Sequence, residues 1–179
     1  MSLLFTLNFV LAVGGLAMLV LTIGLFVDYI FYQRQFYLQY VSPVAWPLIL
    51  LVTIGSVLLS LLYSEYFGFV PCSLCWLQRI ALYPQALFAL MAFKTRENIF
   101  YPMYSIGLSV FGLIVAVYHY IYQLIPAEVR EGGLMPCLAD GSSDCASVIM
   151  NQFGFVTFPF LSAVTFAFLI ILYLNIKKG

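Results

Sequence analysis

Residues 3–27 read LLFTLNFVLAVGGLAMLVLTIGLFV, a run with no charged side chain that is longer than the roughly 20 mostly apolar residues a helix needs to span hydrocarbon. The rest of the chain repeats the pattern. Four more apolar stretches follow, uncharged except for Arg79 in the second of them, one within Val44 to Ser64, one from about Leu74 to Phe93, one over Ile99 to Ile125 and one over about Ala146 to Ile176. The last two exceed what a crossing requires, so tilt or interfacial ends are expected there. The first run lacks a basic leader and is longer than the roughly 7–15 apolar residues of a secretion signal, which makes it a retained helix.

Composition agrees with a bilayer as the solvent. Of 179 residues 64% are apolar, 18% aromatic and 8% charged, against about 25% charged in soluble domains. Seven Lys and Arg balance seven Asp and Glu, so no basic face exists for nucleic acid to read. Between the first two helices, Asp28 to Trp46 carries Tyr29, Phe31, Tyr32, Phe36, Tyr37, Tyr40 and Trp46 around a single Arg34, the composition of a segment lying at headgroup level. Five crossings place Arg34, Lys94 with Arg96, and Lys177 with Lys178 on one side, which the positive-inside rule makes cytoplasmic. All four cysteines then face outward. The outer loop Pro126 to Cys145 is too short to fold alone.

Cys72-Ser73-Leu74-Cys75 follows Pro71 and opens the third helix. Unpaired amides and the helix dipole favour a thiolate at that place. A lone CxxC admits three readings: a structural disulfide, half of a zinc site, or an exchangeable redox pair. Zinc is disfavoured because Cys137 and Cys145 are separated by seven residues in an acidic loop and form no second CxxC knuckle. That spacing suits a disulfide-closed loop worth roughly 2–3 kcal/mol by chain entropy, structural or catalytic alike, and no metal is expected.

Helical spacing puts Cys72, Cys75 and Arg79 on one stripe. An arginine two turns into a membrane helix either snorkels to the headgroups or serves a ligand and a thiolate, and Gln78 stands beside it. His119, the only histidine, lies toward the outer end of the fourth helix with Gln123 one turn on. It is either a satisfied interfacial side chain or a ligand or proton donor. Were the third and fourth helices neighbours, Cys75, Arg79 and His119 would converge on one outer pocket.

The ordered combination of Pro71-Cys72-Ser73-Leu74-Cys75-Trp76-Leu77-Gln78-Arg79, Tyr118-His119-Tyr120 with Gln123-Leu124-Ile125-Pro126, Cys137 and Cys145, and Gly154-Phe155-Val156-Thr157 with Pro159-Phe160 resembles the DsbB family of disulfide-bond-forming membrane oxidases, in its shorter BdbC-like branch. The related vitamin K epoxide reductase family places its loop cysteines before the CxxC rather than after it. The resemblance covers about Trp46 to Lys178. It implies an all-α fold, a four-helix transmembrane redox domain over residues 46–179, preceded in residues 1–45 by an extra transmembrane helix and the aromatic interfacial segment. It also implies an enzyme, a thiol:quinone oxidoreductase that reoxidises a DsbA-like thioredoxin-fold oxidase outside a bacterial-type cytoplasmic membrane and passes electrons to ubiquinone or menaquinone. Cys137 would form the mixed disulfide with the partner and Cys145 would resolve it. Cys72 would exchange with Cys145, and Cys75, supported by Arg79, would meet the quinone, with Gln78 and His119 near the ring.

Redox arithmetic points the same way. A DsbA-like oxidant has a potential near about −120 mV, and each 30 mV is roughly 1.4 kcal/mol for two electrons. Ordinary protein disulfides cannot reoxidise it, whereas a quinone dissolved in the bilayer can. Two rival readings are a non-catalytic membrane scaffold with bracing disulfides and a small transporter. The transporter is disfavoured by the lack of a charged relay at mid-depth and of broken half-helices in matched positions.

Overall fold

The computed structural model describes residues 2–95, 100–125 and 145–177. Among these are five α-helices: α1 Ser2–Phe31, α2 Ala45–Leu61, α3 Ser73–Thr95, α4 Phe100–Leu124 and α5 Phe158–Lys177. Spans that include α1, α2, α4 and α5 are long and apolar enough to cross a bilayer. α3 is more polar because Gln78, Arg79 and Gln85 interrupt it, yet it packs between α2 and α4.

Helix direction alternates along the chain. The end of α1 (Leu25), the start of α2 (Ala45, Ile49), the end of α3 (Ala89, Ala92), the start of α4 (Tyr101) and the end of α5 (Leu172, Ile176) form one buried cluster. Cys72, Cys75 and Cys145 sit at the opposite end, where Cys72, Leu74, Val115 and Cys145 are buried together. The most extensive helix pairing is α4 with α5. It is close because Gly112 faces the Phe166 ring, where even a Cβ would collide, and small residues let membrane helices approach in this way.

α1 runs four residues beyond Val27 and packs on α5. Its far end is fastened by Asp28, which is buried and accepts hydrogen bonds from the Phe36 N–H (3.1 Å) and the Tyr37 N–H (2.9 Å). The expected aromatic segment is therefore partly the last turn of α1. The remainder is a reversal through Gln33 and Arg34, both at positive φ, followed by the π-helical turn Tyr37–Val41 and the 3-10 turn Ser42–Val44 into α2. At the cysteine end, Tyr63 OH donates to Asn8 Oδ1, joining α1 to the π-helical turn Leu62–Tyr66 that ends α2.

The fifth helix begins at Phe158, not near Ala146 as the apolar run implied. Residues 145–157 instead form a tight loop. Gln152 and Val156 pair through two backbone hydrogen bonds of 3.0 and 2.9 Å, and Phe153 and Gly154 at the tip have φ of 56° and 80°. A helix cannot pass through such left-handed residues. Pro159, harmless in a first turn because the N–H it lacks would be unpaired there, follows directly.

Candidate redox site

Cys72 is the residue at which α3 starts. Its C=O accepts the Trp76 N–H at 3.0 Å, and its Sγ accepts the Cys75 N–H at 3.3 Å. The sulfur thus occupies the place of an N-cap oxygen, where the positive helix end favours a thiolate. Cys72 and Cys75 are free thiols with their Sγ atoms 2.8 Å apart. The hydrogen bond with Cys75 holds the Cys72 thiol well below the ordinary thiol range, and His119 adds to the effect while burial opposes it.

His119 is 3% exposed, packed inside the bundle with both ring nitrogens engaged. Its Nε2 lies 3.9 Å from Cys72 Sγ and 3.0 Å from the Cys145 carbonyl oxygen, and its Nδ1 meets Gln78 Nε2 at 3.1 Å. With the Gln78 amide donating to Nδ1, Nε2 carries the ring hydrogen and donates it to the Cys145 carbonyl. Two further α4 side chains hold the same loop: Tyr120 OH donates to the Phe155 carbonyl (3.1 Å) and Gln123 Nε2 to the Ser147 carbonyl (3.2 Å). From the other side, Ala12 and Leu16 of α1 pack on Met150, Val156 and Phe158, and Phe9 meets the Phe153 ring at 5.9 Å. The loop is clamped between α4 and α1.

Cys145 is disulfide-bonded and buried beside Cys72. Cys137, with the rest of residues 126–144, lies outside the described residues. A cavity with about 50 Å³ open to the centres of water molecules separates the two cysteine-bearing segments, and Cys72, Cys75, His119, Gln123, Cys145 and Thr157 are among its walls.

Arg79 turns away from this cavity. Its Nη2 donates to the Ser60 carbonyl of α2 at 2.9 Å, and its guanidinium carbon lies 5.2 Å from the centre of the half-exposed Trp76 ring. The expected stripe therefore divides. Cys72 and Gln78 face His119, Arg79 faces α2, and Cys75 stands between them. One turn of a helix carries side chains about 100° apart per residue, so adjacent Gln78 and Arg79 cannot serve one neighbour.

The ligand atoms of Cys72, Cys75 and His119 lie within 4.8 Å of one another, close enough to share a thiophilic ion. The imidazole nitrogen nearest the sulfurs is the one that donates to Cys145, however, and a ligating nitrogen must be free of its hydrogen. The arrangement is better suited to sulfur exchange: two thiols at a helix start, one held as the better nucleophile, against a neighbouring disulfide cysteine.

Thr157 was visible in the sequence only as part of a motif. Its position just before Phe158-Pro159 marks it as an N-cap residue type, and its carbonyl does accept the Leu161 N–H at 3.0 Å. Its hydroxyl does not cap: Oγ1 is buried with no hydrogen-bond partner.

The model of the family described as Disulfide bond formation protein DsbB matches residues 42–176. The probable disulfide formation protein of Oceanobacillus iheyensis is 36% identical over 119 residues, 66% of this chain and 79% of its own length. Disulfide bond formation protein C of Bacillus subtilis is 32% identical over 136 residues, 75% of this chain and 90% of its own. The SPbeta prophage-derived disulfide bond formation protein B of the same organism is 41% identical over 110 residues, 60% and 68% of the two chains. No solved structure matches. With its apolar helices and its paired thiols, the chain belongs to the DsbB family of membrane disulfide bond formation proteins.

Proposed function

We propose that the protein is a thiol:quinone oxidoreductase that reoxidises a DsbA-like thioredoxin-fold protein on the extracytoplasmic side of a bacterial cytoplasmic membrane and delivers the electrons to ubiquinone or menaquinone. The observation that carries the reading is the contact of two free thiols at the start of α3 with disulfide-bonded Cys145 across one small cavity.

In this reading Cys137 exchanges with the partner and Cys145 carries the electrons onward by attacking Cys72, releasing Cys75. Gln78 and His119 orient the Cys72 side, since His119 fixes the Cys145 backbone beside it. Cys75 faces the acceptor. The cavity has room for a few water molecules at roughly 10–15 Å³ each and none for a substituted ring, so the quinone meets Cys75 from the Trp76 and Arg79 side. Arg79 fits a quinone carbonyl there, because Ser60 takes one of the five N–H groups that a guanidinium offers. The quinone supplies a two-electron acceptor soluble in the bilayer.

The test is optical measurement of quinone reduction by the purified protein in lipid, with a reduced DsbA-like donor and Cys72→Ser as control. Turnover that disappears in the control is the expected result. Absence of turnover with either quinone, together with disulfides that resist the donor, would leave a scaffold with bracing disulfides.

A further inference from the structure

We infer that the cavity between α3, α4 and the loop 145–157 is a catalytic water site, held by Gln123 and Thr157, which moves the proton in the exchange between the loop cysteines and the CxxC. The inference rests on the thiol-exchange reading above and adds residues and a role to it.

Exchange needs a proton to move. When Cys145 attacks the Cys72–Cys75 disulfide, its S–H bond breaks, the Cys145–Cys72 bond forms and the Cys72–Cys75 bond breaks. Cys75 departs with the electron pair and ends as a thiol, so one proton passes from Cys145 to Cys75 with no outside oxidant or reductant. His119 is the nearest ring base, but Nδ1 is engaged by Gln78, and Nε2, the nitrogen on the sulfur side, donates to the Cys145 carbonyl. It supplies orientation and cannot accept the proton in this arrangement.

The cavity walls hold two other groups. Among the described residues, Gln123 Oε1 and Thr157 Oγ1 are buried side-chain oxygens with no hydrogen-bond partner, and both residues line the cavity along with Cys75 and Cys145. Thr157 is 8% exposed. Buried polar atoms are paired with protein or ordered water in nearly all cases, and the volume here, about 50 Å³, fits a few waters. The two oxygens differ in a useful way. A carboxamide oxygen only accepts, whereas a hydroxyl both donates and accepts, so a water between them is oriented by one and can pass a proton through the other. Thr157 sits at an N-cap without capping, so its hydroxyl is not taken up by its ordinary local partner and remains available at the cavity wall.

The experiment uses the full chain in detergent without quinone. The oxidised protein is mixed with dithiothreitol, quenched in acid, and appearance of the CxxC thiols is followed by maleimide mass labelling, with Cys145→Ser giving the background of direct attack. Thr157→Val, which keeps the shape and removes the hydroxyl, is expected to slow exchange by about a hundredfold, the lower limit of what a positioned proton transfer contributes. It is also expected to raise the solvent deuterium isotope effect, because proton transfer becomes the slow step, and Thr157→Ser restores both. Should Thr157→Val fail to fold, Gln123→Met is read in the same way. A variant that exchanges at the normal rate, or one slowed with an unchanged isotope effect, overturns the water site. Failure of the wild type to exchange at all overturns the thiol-oxidase reading on which it rests.

Discussion

Two groups of buried polar side chains occupy opposite ends of the bundle. Toward the end remote from the cysteines, Gln85 of α3, Ser109 and Tyr101 of α4 and Tyr173 of α5 are bonded to one another. Gln85 Oε1 accepts from Ser109 Oγ at 3.0 Å and Tyr173 OH at 3.2 Å, Gln85 Nε2 donates to the Ala81 carbonyl, and the Tyr101 and Tyr173 hydroxyls meet at 3.1 Å. At the cysteine end, Gln123 Oε1 and Thr157 Oγ1 keep buried oxygens unpaired next to a cavity. The first group has its partners inside the protein and ties three helices together, as polar residues do between membrane helices. The second leaves capacity over at the place where sulfurs exchange.

The contrast is broken most severely by removing the chemistry. Cys75→Ser is expected to abolish electron transfer to quinone while a mixed disulfide through Cys137 still forms with the partner, which acid-trapped gels would show. Normal quinone reduction by that variant would remove the role assigned to Cys75. Arg79→Met comes next, with quinone use weakened more than partner exchange in steady-state kinetics. Equal loss of both would mark a folding defect, since the Ser60 contact is lost too.

The closed cluster answers to a stability measurement instead. Gln85→Ala leaves Ser109 and Tyr173 without their acceptor and is expected to cost about 1–2 kcal/mol in denaturant unfolding, with thiol exchange in the folded fraction unchanged. Slowed exchange at normal stability would mean that the two ends communicate. Smaller still is Tyr63→Phe, which removes the hydrogen bond from the α2 end to Asn8 of α1. About 0.6 kcal/mol is expected from one such interhelical bond.

Acidity sharpens the comparison further. Because Cys75 and His119 hydrogen bonds hold the Cys72 thiol low, its thiolate persists as pH falls until that depressed value is crossed. Iodoacetamide should therefore label Cys72 of the reduced protein at about pH 6, where an ordinary thiol near 8.5 is almost wholly protonated. Labelling that rises tenfold per pH unit from 6 to 8 would show an ordinary thiol. The sign for stability is the same: a depressed group stabilises the fold above its unfolded pKa and loses that contribution as pH falls through the folded one.

Much of this was legible in the chain itself. The apolar runs located the five helices of the described residues because a bilayer demands about 20 apolar residues per crossing, and, Arg79 within α3 apart, the charges that interrupt the chain fall between the runs. The CxxC at a helix start was readable because Pro71 and Cys72 precede an unbroken helical pattern. The start of α5 was not, since Ala146 to Val156 is apolar enough to pass for helix while Phe153 and Gly154 adopt positive φ.

Sequence alone determined the membrane class, the apolar runs that become the five helices of the described residues and the CxxC at a helix start, because hydropathy and helix-end chemistry act over a few consecutive residues. Only the tertiary structure decided that Gln78 serves His119 while Arg79 serves α2, that α1 braces the loop bearing Cys145, and that Thr157 leaves its hydroxyl unpaired beside the cavity. Those outcomes depend on which neighbour stands opposite each side chain, and helices far apart in the chain supply that neighbour.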